Sequence, residues 1–404
     1  MSPRLRHYFT HFQSLGGVQS ILRAHLKHDP ERDLDTSLLA FFDPSGPNPD
    51  DPRINGLGLT GRHSIHQVRR SFAREESARQ YDVPIFHDLW GLAFLGEFDR
   101  SPHRRIGAVH SQWPHLDYQL DQLQGSLDGV FCDSQEIAHL VEKRHPALSD
   151  GRVRHLPVPT QIAPQDMLKP RSPMAGRRII LGFVGRVDFA QKRVDRFPAL
   201  LAYLRAQGLD CELHILGSGD ASETLPRQFA AQDKVTFWGR QSGDKYWEIM
   251  SQWDFVIYTS DHEGSPLAMI EAMSAGNIPL FPQIGSGGDR VVSTIDPSLL
   301  YPPEDWPKVA AILKSWTHRP EHALNEARAA CRQLSQGHNS DAYHERFMEF
   351  LNHVLELPRI SGEFAPKRPF HATDYLPLGL LTRYSPRAYF RANAIIPHPS
   401  EDQK

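Results

Sequence analysis

Cysteine is scarce in this sequence: Cys132, Cys211 and Cys331 are the only three in 404 residues. An odd number at wide spacing argues against a disulfide framework and against a Cys-based zinc cluster, and fits a reducing compartment. Excess positive charge is missing as well. Lys and Arg number 45 against 48 Asp and Glu, for a net charge of −3 and a pI near 6.7. That balance gives no support to a nucleic-acid binder working through a bulk positive field. No apolar run reaches 18 residues, and the opening MSPRLRHYFTHF lacks a signal-peptide core. The expected location is therefore the cytoplasm, or the periphery of a membrane's inner face. Histidine is plentiful at 22, yet no HExxH or comparable ligand pair occurs, so no metal site is expected.

What is present is an ordinary globular composition, 40% hydrophobic and 23% charged, in a chain long enough for two domains. Apolar β-branched runs alternate with helical patterns. In the first half the strand candidates are 36–43, 82–87, 104–110, 128–134 and 152–158, with helices over 18–28, 63–80 and 135–144. Residues 160–176, with three prolines and little periodicity, read as a linker. A second series follows at 177–185, 211–217, 234–239, 253–260 and 277–283, with a helix over 194–208. Three helical patterns, 305–316, 321–334 and 341–357, come next. Near-continuous apolar strands separated by helices imply parallel sheets covered on both faces. The fold class is thus α/β, with two Rossmann-like doubly wound domains and a ligand cleft expected between them. The expected division is 1–170, 171–340, a C-terminal helix 341–357 returning to the N-terminal domain, and an irregular tail 358–404. The tail reads as packed along the surface. A second reading is an interfacial segment touching lipid, since it mixes aromatics with arginines.

The stretch HEGSPLAMIEAMSAG (262–276) carries charge into an apolar helix. Ser265 is a natural N-cap, Pro266 suits the first helical position, and Gly276 suits the left-handed C′ position. The free amides of such a first turn make a phosphate site. Glu263 and Glu271 repel phosphate but accept hydrogen bonds from vicinal diols; alternatively they are solvated surface carboxylates. In LGFVGRVDFAQKRVDRF (181–197) an apolar strand is followed by Arg186 and Lys192, placed to neutralise a diphosphate or to form surface ion pairs. A phosphate site beside polyol acceptors makes a nucleotide sugar the economical ligand.

Over roughly residues 5–356 the chain resembles the retaining GT-B glycosyltransferases called group 1, or glycosyltransferase family 4. The resemblance rests on LGGVQ near the start, AVH at 108–110, GRVDFAQKRVD, ILGSGD at 215–220, VTFWG at 235–239, and HEGSPLAMIEAMSAG followed by IGSGGDRVV. It implies that Arg186 and Lys192 hold the donor diphosphate and that Glu271 binds the ribose hydroxyls. Glu263 would lie by the transferred sugar, and backbone amides near Ser265 and Leu267 would add to the phosphate site. The N-terminal domain would face the acceptor and the C-terminal one the donor. The implied reaction moves a sugar from a nucleotide-diphosphate donor to a hydroxyl of a glycan or lipid-linked acceptor, with retention and without a metal or other cofactor. Glycan, surface-polysaccharide or glycolipid assembly is the implied setting.

Three further positions carry expectations. Gly16 and Gly17 follow a short strand pattern and open a helix, which lets backbone approach a phosphate closely or makes a tight turn only. In the resembling family this loop closes over the donor. His110 ends one strand and His87 another; the family places a cleft histidine at His110, with His87 as the rival. Asp33 and Asp35 imitate the acidic motif of metal-dependent transferases but sit in a polar stretch that reads as a solvated loop. Two departures from the family stand out: Asp289 replaces a frequent glutamate, and LPVPTQ replaces an asparagine–glycine turn. A sugar-nucleotide epimerase or other GT-B enzyme, and a non-catalytic sugar-nucleotide binding protein, remain alternatives.

Overall fold

The computed structural model describes residues 3–13, 17–77, 80–92, 104–110, 116–168, 173–174, 176–229, 232–263, 265–360 and 372–384. The chain divides into two compact units, Met1–Pro157 with His344–Lys404, and Val158–Tyr343.

The first unit's strands are β1 (Arg4–Phe9), β2 (Asp35–Ala40), β3 (Gly46–Pro47), β4 (Ile54–Gly56), β5 (Val83–His87), β6 (Ile106–Val109), β7 (Gly129–Cys132) and β8 (Val153–His155). They lie in the order β3-β4-β2-β1-β5-β6-β7-β8, parallel except for the β3–β4 pair at one edge. Helices α1 (Gly17–His28), α2 (Ile65–Ser77), α3 (Leu116–Gln122) and α4 (Gln135–Arg144) supply crossovers. The chain winds outward from β1 in one direction and from β5 in the other, so the topological switch point lies between these two strands. β1, RLRHYF, is central and buried although it carries Arg6 and His7, each 1% exposed. Arg6 is held by Glu75 at 3.5 Å and Glu76 at 3.9 Å, the pairing that a buried guanidinium requires.

The second unit contains β9 (Ile179–Val184), β10 (Cys211–Leu216), β11 (Val235–Gly239), β12 (Phe255–Ile257), β13 (Ile278–Pro282) and β14 (Leu300–Tyr301). Their order is β11-β10-β9-β12-β13-β14, with all neighbours parallel. Between and after them come α5 (Phe197–Ala206), α6 (Leu225–Gln228), α7 (Gly243–Met250), α8 (Leu267–Ser274), α9 (Gly287–Ile295), α10 (Trp306–Thr317) and α11 (Glu321–Gln336). The central strand IILGFV is apolar on both faces, as burial from both sides demands. Gly182 in its middle is a packing requirement: a Cβ there would come within 2.0 Å of the Trp253 ring. Here the switch point lies between β9 and β12, so the loops 185–193 and 258–263 meet at their carboxyl ends.

Two segments differ from the sequence expectation. The described residues of the stretch read as a linker include ones packed onto the second unit: the Ala163 amide donates to Ser274 Oγ at 2.9 Å, and Met174 is 3% exposed. Its prolines suppress periodicity without preventing burial. In the tail, α13 (Leu378–Tyr384) follows α12 (Ser340–Glu356) and sends Leu378 and Leu381 into the first unit's core. Two buried residues are too few to produce a readable period. On α12, Phe347 and Phe350 meet Phe131 of β7 edge-on, each with ring centroids at 5.9 Å.

Candidate functional site

At the switch point of the second unit, the loop after β9 is shaped by Asp188. Its carboxylate accepts the amides of Gln191 (2.6 Å) and Lys192 (3.1 Å) and the Arg186 Nε (2.9 Å). Burial would raise this carboxyl; the two amides and the guanidinium override it and hold Asp188 below its usual range. Asp188 therefore turns the loop so that Lys192 points back over the strand end. Lys192 Nζ donates to both oxygens of Glu263 at 2.7 Å, and Ser260 Oγ donates to Oε1 at 2.6 Å. The pair is nearly enclosed, with the Lys192 and Glu263 side chains 14% and 3% exposed. Arg186 stays open to solvent and reaches Gln191 at 2.6 Å, while Gln191 bonds the His262 carbonyl at 3.2 Å. The loop after β10 closes against this wall: a Cβ on Gly217, at φ +139°, would lie 1.9 Å from the Gly185 carbonyl oxygen.

Helix α8 leads from this loop. Its first turn corrects the sequence reading, because Pro266 occupies the N-cap and no side chain caps the helix. Ser265 lies one residue too early, and its carbonyl takes the Leu267 amide at 2.9 Å. That amide is already occupied. The C-terminus follows expectation: Gly276 sits at φ +84° and donates to Met273, while Asn277 donates to Ala272, the paired bonds of a Schellman motif.

Glu271, one turn into α8, is a buried carboxylate with its own partners. Thr160 Oγ1 donates to Oε1 at 2.5 Å, and Tyr246 donates to Oε2. Burial raises the Glu271 carboxyl, against the lowering by Thr160, Tyr246 and the Gln161 amide. A carboxylate offers about four lone-pair sites, so three donors leave room for one hydroxyl. Asp289 is spent locally. It forms a capping box with Ser286 and also takes the amides of Ile284 and Gly285 at 3.0 and 3.3 Å.

In the first unit, His87 and His110 sit at adjacent strand ends and are bonded to one another, Nδ1 to Nε2, at 2.7 Å. His110 Nδ1 meets Asp133 at 2.9 Å, and its amide donates to Asp88 at 2.9 Å. Burial opposes protonation of His110, but Asp133 and Asp88 outweigh it and raise its pKa. Burial drives His87 well below the ordinary value. Both ring nitrogens of His110 are thus engaged, by Asp133 and His87. His87 is fully enclosed, its other nitrogen 2.8 Å from His7. Gly17 is the exposed first residue of α1, and Gly16 lies outside the described residues. Asp33 and Asp35 are exposed, at a left-handed turn and at the start of β2.

Sequence reading missed Asp188, Ser260, Thr160, Tyr246, Asp133 and His7. For Asp133 and Asp188 a signal existed, a polar residue just beyond an apolar strand. Thr160 and Tyr246 had none.

Comparison with known proteins matches residues 165–333 to the glycosyl transferases group 1. The lipopolysaccharide 1,6-galactosyltransferase of Salmonella typhimurium is 30% identical over 180 residues, covering 41% of this chain and 46% of that protein. The enzyme of the same name from Escherichia coli K12 is 26% identical over 332 residues, covering 77% and 88%. Among solved structures, the lipopolysaccharide outer core galactosyltransferase WaaB superposes with a TM-score of 0.65 at 17% identity, covering 86% of this chain and 99% of that one. HepE of Anabaena, in complex with UDP and glucose, gives 0.64 at 14% identity, with 87% and 99% covered. Residues 165–333 thus match the glycosyl transferases group 1, and the fold is that of solved GT-B glycosyltransferases.

Proposed function

We propose that the protein is a retaining glycosyltransferase that moves a hexose from a nucleoside-diphosphate sugar to a saccharide hydroxyl in surface-polysaccharide or lipopolysaccharide assembly. The observation that carries this reading is the Lys192–Glu263 pair at the switch point, with the exposed Arg186 beside it. An ammonium and a guanidinium at strand ends suit a leaving diphosphate, whose charge grows as the glycosidic bond breaks. Glu271 retains acceptor capacity for a ribose hydroxyl. Gly16, Gly17 and the segment at Ser265 and Leu267 remain proposed donor contacts, the Leu267 amide exchanging its bond to the Ser265 carbonyl for the phosphate.

In the proposed step the anomeric C–O bond breaks with its electron pair going to the diphosphate. The acceptor oxygen bonds to the same face, and its proton passes to the departing phosphate oxygen. Glu263 orients and stabilises. With both oxygens held by Lys192 and one also by Ser260, it is a poor nucleophile. His110 is proposed as a buried support for the strand ends, since its nitrogens are engaged. Arg186 and Lys192, paired here with Asp188 and Glu263, are the groups proposed to meet the diphosphate, with no added metal. UDP-sugars head the donors to test, because HepE was solved with UDP and two relatives are named galactosyltransferases. Peripheral membrane contact through the tail is a secondary part of the proposal; among the described residues no helix is long and apolar enough to cross a membrane.

The test is proton NMR of the product made from an α-linked UDP-hexose and a core-type oligosaccharide, without added Mg²⁺ or Mn²⁺. An α-linked product is expected. A β-linked product, or strict dependence on added Mg²⁺ or Mn²⁺, contradicts the reading. Epimerised UDP-sugar formed without any acceptor would favour the epimerase alternative.

A further inference from the structure

Beneath β1 the first unit holds a cluster that the transfer reaction does not use. His7, His25 and Asp29 are each at most 1% exposed, and one potential ligand atom from each lies within 4.8 Å of the others. His25 Nδ1 is 3.1 Å from both oxygens of Asp29, and His344 Nε2, from α12, approaches the same carboxylate at 3.3 Å. His7 Nε2 is buried and makes no hydrogen bond. An imidazole nitrogen left bare beside a buried carboxylate is costly, because nothing replaces the water it lost.

The surroundings of these groups are those that orient metal ligands. Asp133 accepts from His110 Nδ1–H, and His110 Nε2 then accepts from His87 Nδ1–H. His87 Nε2 in turn accepts from His7 Nδ1–H, at 2.9, 2.7 and 2.8 Å along the file. Tautomers follow from the partners; with His110 neutral the file runs in this direction and leaves a lone pair on His7 Nε2, the state a bound cation selects. A histidine whose far nitrogen donates toward a carboxylate-anchored chain is the usual partner arrangement behind a metal-bound imidazole. Thr36 Oγ1 likewise fixes Asp29 Oδ2 at 2.5 Å. Ligands of a tetrahedral zinc with bonds of about 2.0–2.1 Å stand roughly 3.3 Å apart. The His25–Asp29 separation already matches that spacing.

We infer that His7, His25 and Asp29 form a buried structural zinc site that ties α1 to β1, with His344 of α12 set against the same carboxylate. Imidazole and carboxylate donors in a four-coordinate setting suit zinc, and the absence of an all-oxygen cage excludes magnesium or calcium as the preferred ion. No residue of the cluster is assigned a part in the proposed transfer, so the inference stands whether or not the proposed reaction is right.

The test uses the full chain, without a polyhistidine tag, expressed with zinc and dialysed against metal-free buffer. Elemental analysis should give about one zinc per chain, falling at least tenfold in His7→Gln and in Asp29→Asn. X-ray absorption at the zinc edge of the wild type should show only nitrogen and oxygen neighbours with imidazole scattering. That measurement does not depend on the variants folding. Less than a tenth of an equivalent of zinc in the wild type overturns the assignment. So does a sulfur shell, or full zinc retention in a folded His7→Gln protein.

Discussion

At the scale of single residues, buried charge is placed where it is balanced, and where balance is incomplete the protein should reveal it by pH. Asp88 is the clearest instance. Burial is the main cause that lifts its carboxyl from 3.8 to about 6, with Asp133 adding to the rise and His110 opposing it. The folded state therefore binds this proton more tightly than the unfolded state. The resulting stabilisation is complete below the unfolded pKa of 3.8 and is lost as pH rises through about 6. Asp88→Asn keeps an acceptor for the His110 amide but cannot ionise. Urea unfolding from pH 4 to pH 7 should show the variant gaining on the wild type by on the order of 2 kcal/mol. A difference that stays flat across the window would mean Asp88 is not shifted.

At the scale of elements, the helix starts distinguish a sequence signal from a used one. Both Ser265 and Ser286 precede helices, but only Ser286 caps, within a box completed by Asp289. Asp289→Ala should lower unfolding free energy by about 1–2 kcal/mol, the ordinary cost of a lost cap. Ser265→Ala should cost less than about 0.5 kcal/mol, as an uncapped surface substitution does. Equal losses in thermal or urea unfolding would refute the local geometry. The contrast also shows what was legible. The strand–helix alternation could be read because buried parallel strands are apolar on both faces. The place of the Arg186–Lys192 loop at a strand end followed from GFVGR. β1 was harder, since Arg6 and His7 disguise a central strand, and the Ser265 cap failed because the helix begins one residue later than composition suggests. Partners such as Thr160 and Tyr246 for Glu271, separated from it by 111 and 25 positions, leave no local trace.

At the scale of the whole molecule, two doubly wound sheets each bring loops together at a switch point, and the two ends are chemically different. The second unit's end presents cations on a glycine-walled loop. The first unit's end presents a histidine file anchored by Asp133, whose inner terminus is His7. The slight negative charge of the chain does not conflict with the proposed anionic donor, because Arg186 and Lys192 lie together at the strand ends of one unit. The most direct check is calorimetric titration of UDP, GDP and ADP into the wild type and Lys192→Ala, with circular dichroism confirming that the variant is folded. At least one diphosphate should bind the wild type, and Lys192→Ala should weaken that binding at least tenfold. Equal affinity in the two proteins, or no binding of any diphosphate to the wild type, would contradict the assignment of this switch point as the donor site.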